Sequence, residues 1–184
     1  MKNKSKGLSI EIKLEDKVSA QLDGSLLTLK GPKGEVKKDF SDKNMKVECK
    51  EQIVTLKASK FNKVNKKVIK SYAAHIRGMV KGALEGHKYT LKICSGHFPM
   101  NVSVSNDEII IKNFLGEKVP RTLALKAGAT VKVEGDTVVV ESPSKEIAGQ
   151  VSADIELLTR RIGYDGRIFQ DGLWITSKGG KDVR

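Results

Sequence analysis

The sequence KGPKGE at residues 30–35 returns as KNFLGE at residues 112–117, which lie 82 positions further along the chain. The similarity continues downstream of both segments. Residues 53–56 (IVTL) align with residues 137–140 (TVVV) at a shift of 84, and the helical segments that follow align at a shift of 79. Because a solenoid needs at least three copies at a short, fixed period, the drifting shift instead predicts one duplicated domain with loop insertions.

The composition favours two small domains with aliphatic cores. The chain has 184 residues, only 5% of them are aromatic, and Trp174 is the single tryptophan. Domains of this kind usually hold at least 50 residues, so the length accommodates two copies. We predict an N-terminal copy at residues 1–84 and a C-terminal copy at residues 85–184, divided at the glycine-marked segment from Gly82 to Lys88.

The charge is large and unevenly distributed. The net charge of +12 favours a densely anionic partner, nucleic acid first and an anionic membrane second. Through Glu85 the chain has 20 Lys plus Arg against 10 Asp plus Glu, which gives +10. From Gly86 onward it has 14 against 12, which gives +2. The first copy therefore holds nearly all of the positive surplus.

The sequence is typical of a soluble, unprocessed protein of a reducing compartment. No apolar run approaches the roughly 18 residues of a membrane helix, and Met1–Lys6 lead into no apolar signal core. Cys49 and Cys94 lie in strand-like sequence of different copies. We therefore predict two reduced, buried thiols rather than a disulfide.

Each copy shows several strands followed by one helix. Apolar and polar residues alternate at residues 18–22 and 27–29 around an Asp23-Gly24 turn, and again at residues 45–49 and 54–58. The second copy repeats this plan at residues 102–104, 109–111, 131–133 and 138–140. The predicted fold class is α+β, with two tandem similar domains, each an antiparallel β-sheet packed against one main α-helix.

The first predicted helix, from about Val64 to Leu84, has one packing face and one cationic face. The packing face comprises Val68, Tyr72, Ile76, Met79, Val80 and Ala83. The cationic face comprises Lys66, Lys70, Arg77 and Lys81. A solvated face usually mixes both signs of charge, yet residues 53–84 contain no acid. This pattern favours a secondary face for RNA or another partner, while a merely solvated face stays open as the alternative.

The second predicted helix follows Ser142-Pro143, interpreted as a capping hydroxyl before a proline at the first helical position. Its apolar residues are Ile147, Val151, Ile155 and Leu158, and it has no cationic stripe. Positive charge returns after it, at Arg160, Arg161, Arg167, Lys178, Lys181 and Arg184, among five glycines. Glycine permits close backbone approach to phosphates and arginine offers a bidentate fork, so this segment favours RNA. A surface strand with a frayed basic tail is the alternative.

Catalytic and metal sites are not indicated. Cys94 and His97 form a single Cys-x2-His pair without a second pair of ligands. The glycine turn at residues 31–34 lacks the Gly-Lys-Ser/Thr ending of a phosphate-binding loop, and no Gly-x-Ser-x-Gly elbow is present. We therefore predict a protein that is not an enzyme and that needs no cofactor and no metal.

Three separated segments resemble one family. They are HFPMNV at residues 97–102, NFLGEK at residues 113–118 and RIFQDGLWI at residues 167–175. They resemble the archaeal and eukaryotic branch of the large-subunit ribosomal protein L-six family, which is called L-nine in eukaryotes. The resemblance covers essentially the whole chain, including the duplication.

The resemblance implies a structural constituent of the large ribosomal subunit in the cytoplasm. It implies binding to large-subunit rRNA near the sarcin-ricin loop and the stalk base, beside neighbouring ribosomal proteins and the region where translational GTPases dock. Neither DNA nor a membrane is an expected partner. A protein-binding adaptor of the GTPase centre, with RNA contact secondary, is the alternative.

The resemblance places the main RNA anchor in the second copy. It nominates Arg160, Arg161, Arg167, Lys178 and Lys181, together with Asn113, Gly116 and Lys118 in the glycine turn. Trp174 stands where the family usually has tyrosine, and Tyr164 where it usually has a basic residue, so no phosphate contact is expected from Tyr164. Because charges act within a Debye length of about 8 Å, local clustering outweighs the low net charge of this copy.

Overall fold

The computed structural model describes residues 7–15, 17–50 and 52–183. The chain divides into two units between Gly86 and His87. Met1–Lys6, on which the expectation of no signal core rests, lie outside the described residues, as does Arg184. Neither helix in the described part has the length and apolarity that a bilayer span requires.

In its described residues the first unit contains six strands and then one helix. These are β1 (Ser9–Lys13), β2 (Ser19–Asp23), β3 (Leu26–Gly31), β4 (Gly34–Asp39), β5 (Met45–Lys50), β6 (Ile53–Ala58) and α1 (Lys63–Leu84). The strands form two antiparallel three-stranded sheets, ordered β1-β6-β5 and β2-β3-β4. The α+β prediction is confirmed, and the division of the strands into two sheets adds a detail that alternation alone does not encode.

Helix α1 packs against both sheets of this unit. It contacts β1 and β6 of one sheet and β3 and β4 of the other. Its buried apolar residues include Ile69 and Ala73, so the buried face is as wide as the predicted one but rotated by about 20° around the helix. Val68, Tyr72 and Val80 pack at the margin of the core as half-buried side chains.

The KGPKGE segment fastens the end of α1. Gly31 pairs with Gly34 across the tight β3–β4 turn, and Gly34 has a φ of 139° that favours glycine. The amide of Lys33 donates to the carbonyl of Ala83, at an N···O distance of 3.0 Å. The first copy of the repeated segment thus has a structural role.

The second unit contains eight strands and one main helix. These are β7 (His87–Cys94), β8 (Asn101–Ser105), β9 (Glu108–Lys112), β10 (Arg121–Ala124), β11 (Thr130–Glu134), β12 (Thr137–Ser142), α2 (Lys145–Leu158), β13 (Gly172–Lys178) and β14 (Lys181–Asp182). A 3-10 turn at Phe114–Gly116 follows β9. The strands form a sheet ordered β10-β9-β8 and a larger one ordered β11-β12-β7-β13-β14.

The residue that caps the N-terminus of α2 lies two positions after the predicted one. Ser144, not Ser142, precedes the helix and accepts a hydrogen bond from the amide of Ile147 at 3.4 Å. Ser142 ends β12 and is buried, where its hydroxyl donates to the carbonyl of Gly128 at 2.7 Å. Pairing of Ser142 with His87 keeps its backbone in the sheet, so Pro143 precedes the helix instead of opening it.

The segment after Gly172 is part of the core. Strand β13 lies between β7 and β14, and Leu173 is fully buried. Of the alternative, a surface strand with a frayed basic tail, the strand is present at Gly172–Lys178, but it is an inner strand of the sheet. Removal of residues 167–184 would delete an inner strand and disrupt the fold. The RNA-binding role of this segment must therefore be tested by point substitutions.

The two cysteines are free thiols but are less buried than predicted. Cys49 and Cys94 are both half-buried. Cys49 lies on β5, an edge strand, and Cys94 is the last residue of β7. Burial still raises the pKa of the Cys49 thiol, so it is a weak nucleophile at neutral pH.

Candidate nucleic-acid interface

The buried carboxylate of Asp171 joins two of the three motif segments. One oxygen accepts the amides of Gly96 at 2.6 Å and His97 at 3.0 Å. The other lies 2.6 Å from Nδ1 of the His97 ring, which donates because the carboxylate carries no proton. Pairing of Gly172 with Cys94 brings these residues together at one end of β7 and β13. The HFPMNV and RIFQDGLWI segments are thereby locked side by side.

The electrostatics of Asp171 agree with this role. Burial alone would raise its pKa, but hydrogen bonds from the His97 amide, the His97 ring and the Gly96 amide outweigh burial and lower the pKa. Asp171 is only 8% exposed. The native structure therefore stabilises its charged form.

Three rings extend from this carboxylate toward an arginine. The His97 ring stacks on Phe169, with centroids 4.8 Å apart, and Phe169 meets the edge of Tyr164, also at 4.8 Å. The guanidinium of Arg161 lies 4.4 Å from the centroid of Tyr164. Tyr164, which replaces the basic residue usual in the resembled family, thus supports Arg161 through its ring.

Arg161 also reaches the third motif segment through Glu117. Its Nη1 lies 3.4 Å from Oε1 of Glu117. Glu117 accepts two hydrogen bonds from Arg121, at 2.8 and 2.7 Å. These bonds, and to a smaller extent the charges of Arg121 and Arg161, lower the pKa of Glu117, although burial acts in the opposite direction. Arg121 donates its remaining Nη1 to the carbonyl of Leu158 at 2.6 Å. Arg121 is committed to internal contacts, whereas Arg161 keeps donors for an external partner.

The glycine turn of the second unit has an unusual backbone. Asn113, Leu115 and Gly116 have φ values of 60°, 47° and 78°, in the left-handed region. The Asn113 side-chain amide donates to the carbonyl of Pro99 at 2.9 Å. A Cβ at Gly116 would lie 3.7 Å from the ring of Phe98. These contacts hold the NFLGEK segment against the HFPMNV segment.

We call the surface built from these three segments the motif cluster, defined by His97, Asn113–Lys118, Arg160–Tyr164 and Arg167–Asp171. An open groove of about 640 Å³ borders it and is lined by Ser95, Asn101, Lys112 and Asn113 among others. No group of three His, Cys, Asp or Glu side chains in the described part is arranged to hold a metal ion. The cluster combines exposed cations, rings and polar backbone on one surface.

A profile of the family described as Ribosomal protein L6 matches residues 15–86 and 98–172, one stretch in each unit. The chain belongs to this family. Its duplication, its three motif segments and its membership of the archaeal branch all agree with the resemblance found in the sequence. Membership also confirms the prediction that the protein is not an enzyme.

Relatives match over nearly the whole chain. The chain is 38% identical over 171 residues to "Large ribosomal subunit protein uL6" of Methanococcus vannielii, which covers 93% of this chain and 94% of that protein. It is 39% identical over 169 residues to the protein of the same name from Saccharolobus solfataricus, which covers 91% of this chain and 93% of that protein. The similarity therefore includes both units.

The structure brings together some of the nominated residues and separates others. Arg160 and Arg161 follow α2 and are exposed beside the glycine turn that holds Gly116 and Lys118. Arg167 lies in the same cluster, 3.0 Å from Asp165, with a side chain that is 90% exposed. Lys178 and Lys181 instead face each other across the β13–β14 turn, at the opposite end of β13 from Gly172. Six residues of strand separate these ends by about 20 Å.

The organising residues of the cluster were missed by sequence reasoning. Asp171 and Phe169 were predicted only as parts of a motif segment, His97 was otherwise considered only as a metal ligand beside Cys94, and Arg121 was not singled out. His97 and Asp171 are 74 positions apart, so no local spacing connects them. The only available signal was that both fall within motif segments of one family.

The cationic face of α1 is a second candidate surface and belongs to the first unit. Lys66, Lys70, Arg77 and Lys81 are all exposed, as the predicted helix requires. Lys81 lies 3.8 Å from Glu85, an acid just beyond the helix. The face is therefore cationic along most of its length.

Proposed function

We propose that this protein is a structural constituent of the large ribosomal subunit whose second unit anchors it to large-subunit rRNA through the motif cluster. The observation that carries this proposal is the convergence of three segments, far apart in sequence, on Arg161 and the glycine turn. Arg161 is held between Tyr164 and Glu117 with about a third of its side chain exposed, which suits an arginine positioned for an anionic partner. The names of the archaeal relatives support the assignment to the large ribosomal subunit.

The chemistry of the cluster suits a folded RNA backbone. The guanidinium of Arg161 is planar, so packing on Tyr164 fixes its plane and leaves its N–H groups for a phosphate in a bidentate contact. Arg160, Lys118 and Arg167 add exposed positive charge around it. Phosphate contacts of this kind fix position and orientation rather than reading sequence. The second unit acts as a clamp on RNA segments that converge there.

The family resemblance supports a finer location for this anchor. We place it near the sarcin-ricin loop and the base of the stalk, in the cytoplasmic ribosome, beside neighbouring ribosomal proteins and the docking region of translational GTPases. In this arrangement unit two, residues 85–184 in the sequence-based division, is the main RNA anchor. Unit one, residues 1–84, supplies a secondary contact.

A protein-binding adaptor at the GTPase centre is the second candidate. Three apolar side chains near the cluster favour it, because Ile162, Val119 and Ile168 are 94%, 78% and 63% exposed. Exposed apolar groups beside arginines also suit a protein partner. Crosslinks from these residues to protein rather than RNA would support this candidate.

Replacing Arg161 with Gln tests the anchor. We expect weaker binding to large-subunit rRNA. The salt slope, which is the change of log K with log salt concentration, should fall in magnitude by about one because one phosphate contact is lost. The measurement is a filter-binding titration at several salt concentrations. Lys132→Gln removes the same charge from the exposed face of β11 and serves as the matched control.

The control separates a specific contact from general electrostatics. If Arg161→Gln and Lys132→Gln change the slope equally, the cluster holds no particular phosphate and the anchor assignment is wrong. A normal slope for Arg161→Gln would also contradict it.

The cationic face of α1 gives an independent prediction. Replacing Lys66, Lys70, Arg77 and Lys81 with Gln should reduce the salt slope of rRNA binding by up to about three, because each phosphate contact on single-stranded RNA contributes about 0.7. The control variant carries Gln at Lys17, Lys43, Lys46 and Lys50, which are exposed positions of the same unit. A slope unchanged relative to this control would show that the α1 face is merely solvated.

A further inference from the structure

Phe61 is an exposed aromatic side chain in the first unit that neither the fold nor the proposed anchor uses. It lies between β6 and α1, and 58% of its surface is accessible. Its neighbour Val64, in the first turn of α1, is 65% exposed. Large apolar side chains that are this exposed lack the stabilisation that burial would give them. Their exposure therefore indicates a role other than packing in the core.

The backbone that carries Phe61 is held on both sides. The side-chain amide of Asn65, which is only 5% exposed, donates to the carbonyl of Lys60 at 2.8 Å. The amide of Asn65 donates to the side-chain oxygen of Asn62 at 2.6 Å. The amide of Ser59 donates to the carbonyl of Asn44 at 3.0 Å. Phe61 is therefore presented from a fixed turn.

The usual structural role of an apolar residue at this position is absent. Phe61 immediately precedes Asn62, the cap of α1, and such a residue often packs on the fourth helical residue. Here that residue is Lys66, which is exposed. Because no apolar partner stands at that position, the ring remains open to solvent.

Three lysines lie close to Phe61 in the chain. Lys60, Lys63 and Lys67 are exposed, and Lys63 and Lys67 are four residues apart on one helix face. Like charges at this spacing destabilise a helix by a few tenths of a kcal/mol unless an anion lies between them. No Asp or Glu occurs at residues 52–84 to provide one. The segment therefore carries no counter-charge of its own, which suits a surface that binds an anionic partner.

We propose that Phe61 stacks on an unpaired base of RNA while Lys60, Lys63 and Lys67 contact the flanking phosphates. Aromatic rings bind bases that are splayed out of a helix, because the faces of paired bases are already stacked. A protein partner fits less well, since the cores of protein interfaces are depleted in lysine. The site lies in the other unit from the anchor, so it is a second RNA contact of different chemistry.

The local test uses one indole as a probe in the full-length protein. In the double variant Phe61→Trp with Trp174→Phe, position 61 carries the only tryptophan. We expect a short single-stranded oligouridine to quench its fluorescence to saturation, and a duplex of equal length to quench it far less. Absence of quenching by the single strand, or equal quenching by the duplex, would overturn the proposal.

Two further variants separate stacking from charge. Phe61→Leu keeps apolar volume but removes the ring, so its affinity for the oligouridine at the site should fall at least about fivefold at every salt concentration, leaving the slope unchanged. Replacing Lys60, Lys63 and Lys67 with Gln should instead lower the slope by about two. The readout is the fluorescence of a fluorescein attached through a cysteine introduced at Ser59, in a Cys49→Ser, Cys94→Ser background.

The outcomes are distinct from those of the anchor. Normal binding at the site by Phe61→Leu would overturn stacking, and an unchanged slope for the lysine variant would overturn the phosphate contacts. Either result leaves the effect of Arg161→Gln on rRNA binding intact. Thermal unfolding of each variant checks that the exposed substitutions have not altered the fold.

Discussion

Replacing Asp171 with Asn is expected to lower the free energy of unfolding of the second unit by about 2 to 3 kcal/mol. The carboxylate accepts three hydrogen bonds, from the amides of Gly96 and His97 and from the His97 ring. An Asn oxygen can still accept the two backbone amides, but these bonds lose the charge of the carboxylate and are weaker. Its NH₂ group then faces Nδ1 of His97, which must change tautomer to accept it. Denaturant titration followed by circular dichroism measures the loss.

The same substitution should weaken rRNA binding, because the rings that position Arg161 begin at His97. Asp165→Asn is the matched control for the stability measurement. Asp165 lies in the same loop, and its oxygen accepts the amide of Arg167 at 2.9 Å, a bond that an Asn oxygen can replace. We expect this control to stay within about 0.5 kcal/mol of the wild type. If both substitutions have equal effects, Asp171 does not organise the cluster.

Acid should remove the advantage of the wild-type carboxylate. The pKa of Asp171 is lowered in the folded state, so its contribution to stability is present above the unfolded pKa of about 3.9 and is lost as pH falls through the folded value. The stability difference between wild type and Asp171→Asn should therefore shrink below about pH 4. A difference that stays constant down to lower pH would contradict this assignment of the charge.

Replacing Gly31 with Ala is expected to destabilise the first unit by about 3 kcal/mol. An added Cβ would lie 2.5 Å from the carbonyl oxygen of Ala83 and 2.9 Å from its Cβ. These are backbone and short side-chain atoms at the end of α1, so no flexible group can move aside. The strain should also break the bond from the Lys33 amide to the Ala83 carbonyl.

Hydrogen exchange locates this effect. We expect faster exchange in the last turns of α1 in Gly31→Ala. Gly78→Ala is the control on the same helix, because its added Cβ would meet no heavy atom within 4 Å. Its helix propensity should raise stability by roughly 1 kcal/mol. Equal stability of the two variants would show that the space between Gly31 and α1 tolerates an added Cβ.

Local patterns predicted the elements of this fold well. The hairpin predicted at Asp23-Gly24 is present, with Gly24 at a φ of 60°, but its turn is Gly24-Ser25 because Asp23 still pairs with Leu26. The predicted start of α1 at Val64 is one residue from the observed Lys63. Alternation correctly placed Val54 and Leu56 in the core. These features depend on neighbours in sequence, which a single chain displays directly.

The contacts that build the candidate site depend on distant residues. The Asp171–His97 contact joins residues 74 positions apart, and the Arg121–Leu158 bond joins residues 37 apart. Neither pair has a spacing signal. The cap of α2 was misplaced for a related reason, because pairing with His87 retains Ser142 in β12 and its hydroxyl is used by Gly128.

Net charge also says less about the anchor than local arrangement does. Glu117 lies between Arg121 and Arg161, and Asp165 lies 3.0 Å from Arg167, so acids in the second unit orient its cations. The net charge simply subtracts such acids from the positive charge and ignores this orienting role. We therefore propose that a unit with a surplus of only +2 holds the main RNA contact.

Crosslinking within assembled large ribosomal subunits tests this central claim most directly. Large subunits containing this protein would be irradiated with ultraviolet light, digested, and the crosslinked peptides identified by mass spectrometry. We expect rRNA crosslinks in residues 113–118 and 160–169, at higher yield than in β11 and β12. Crosslinks of these segments to neighbouring proteins alone, with rRNA reached only from the first unit, would contradict it.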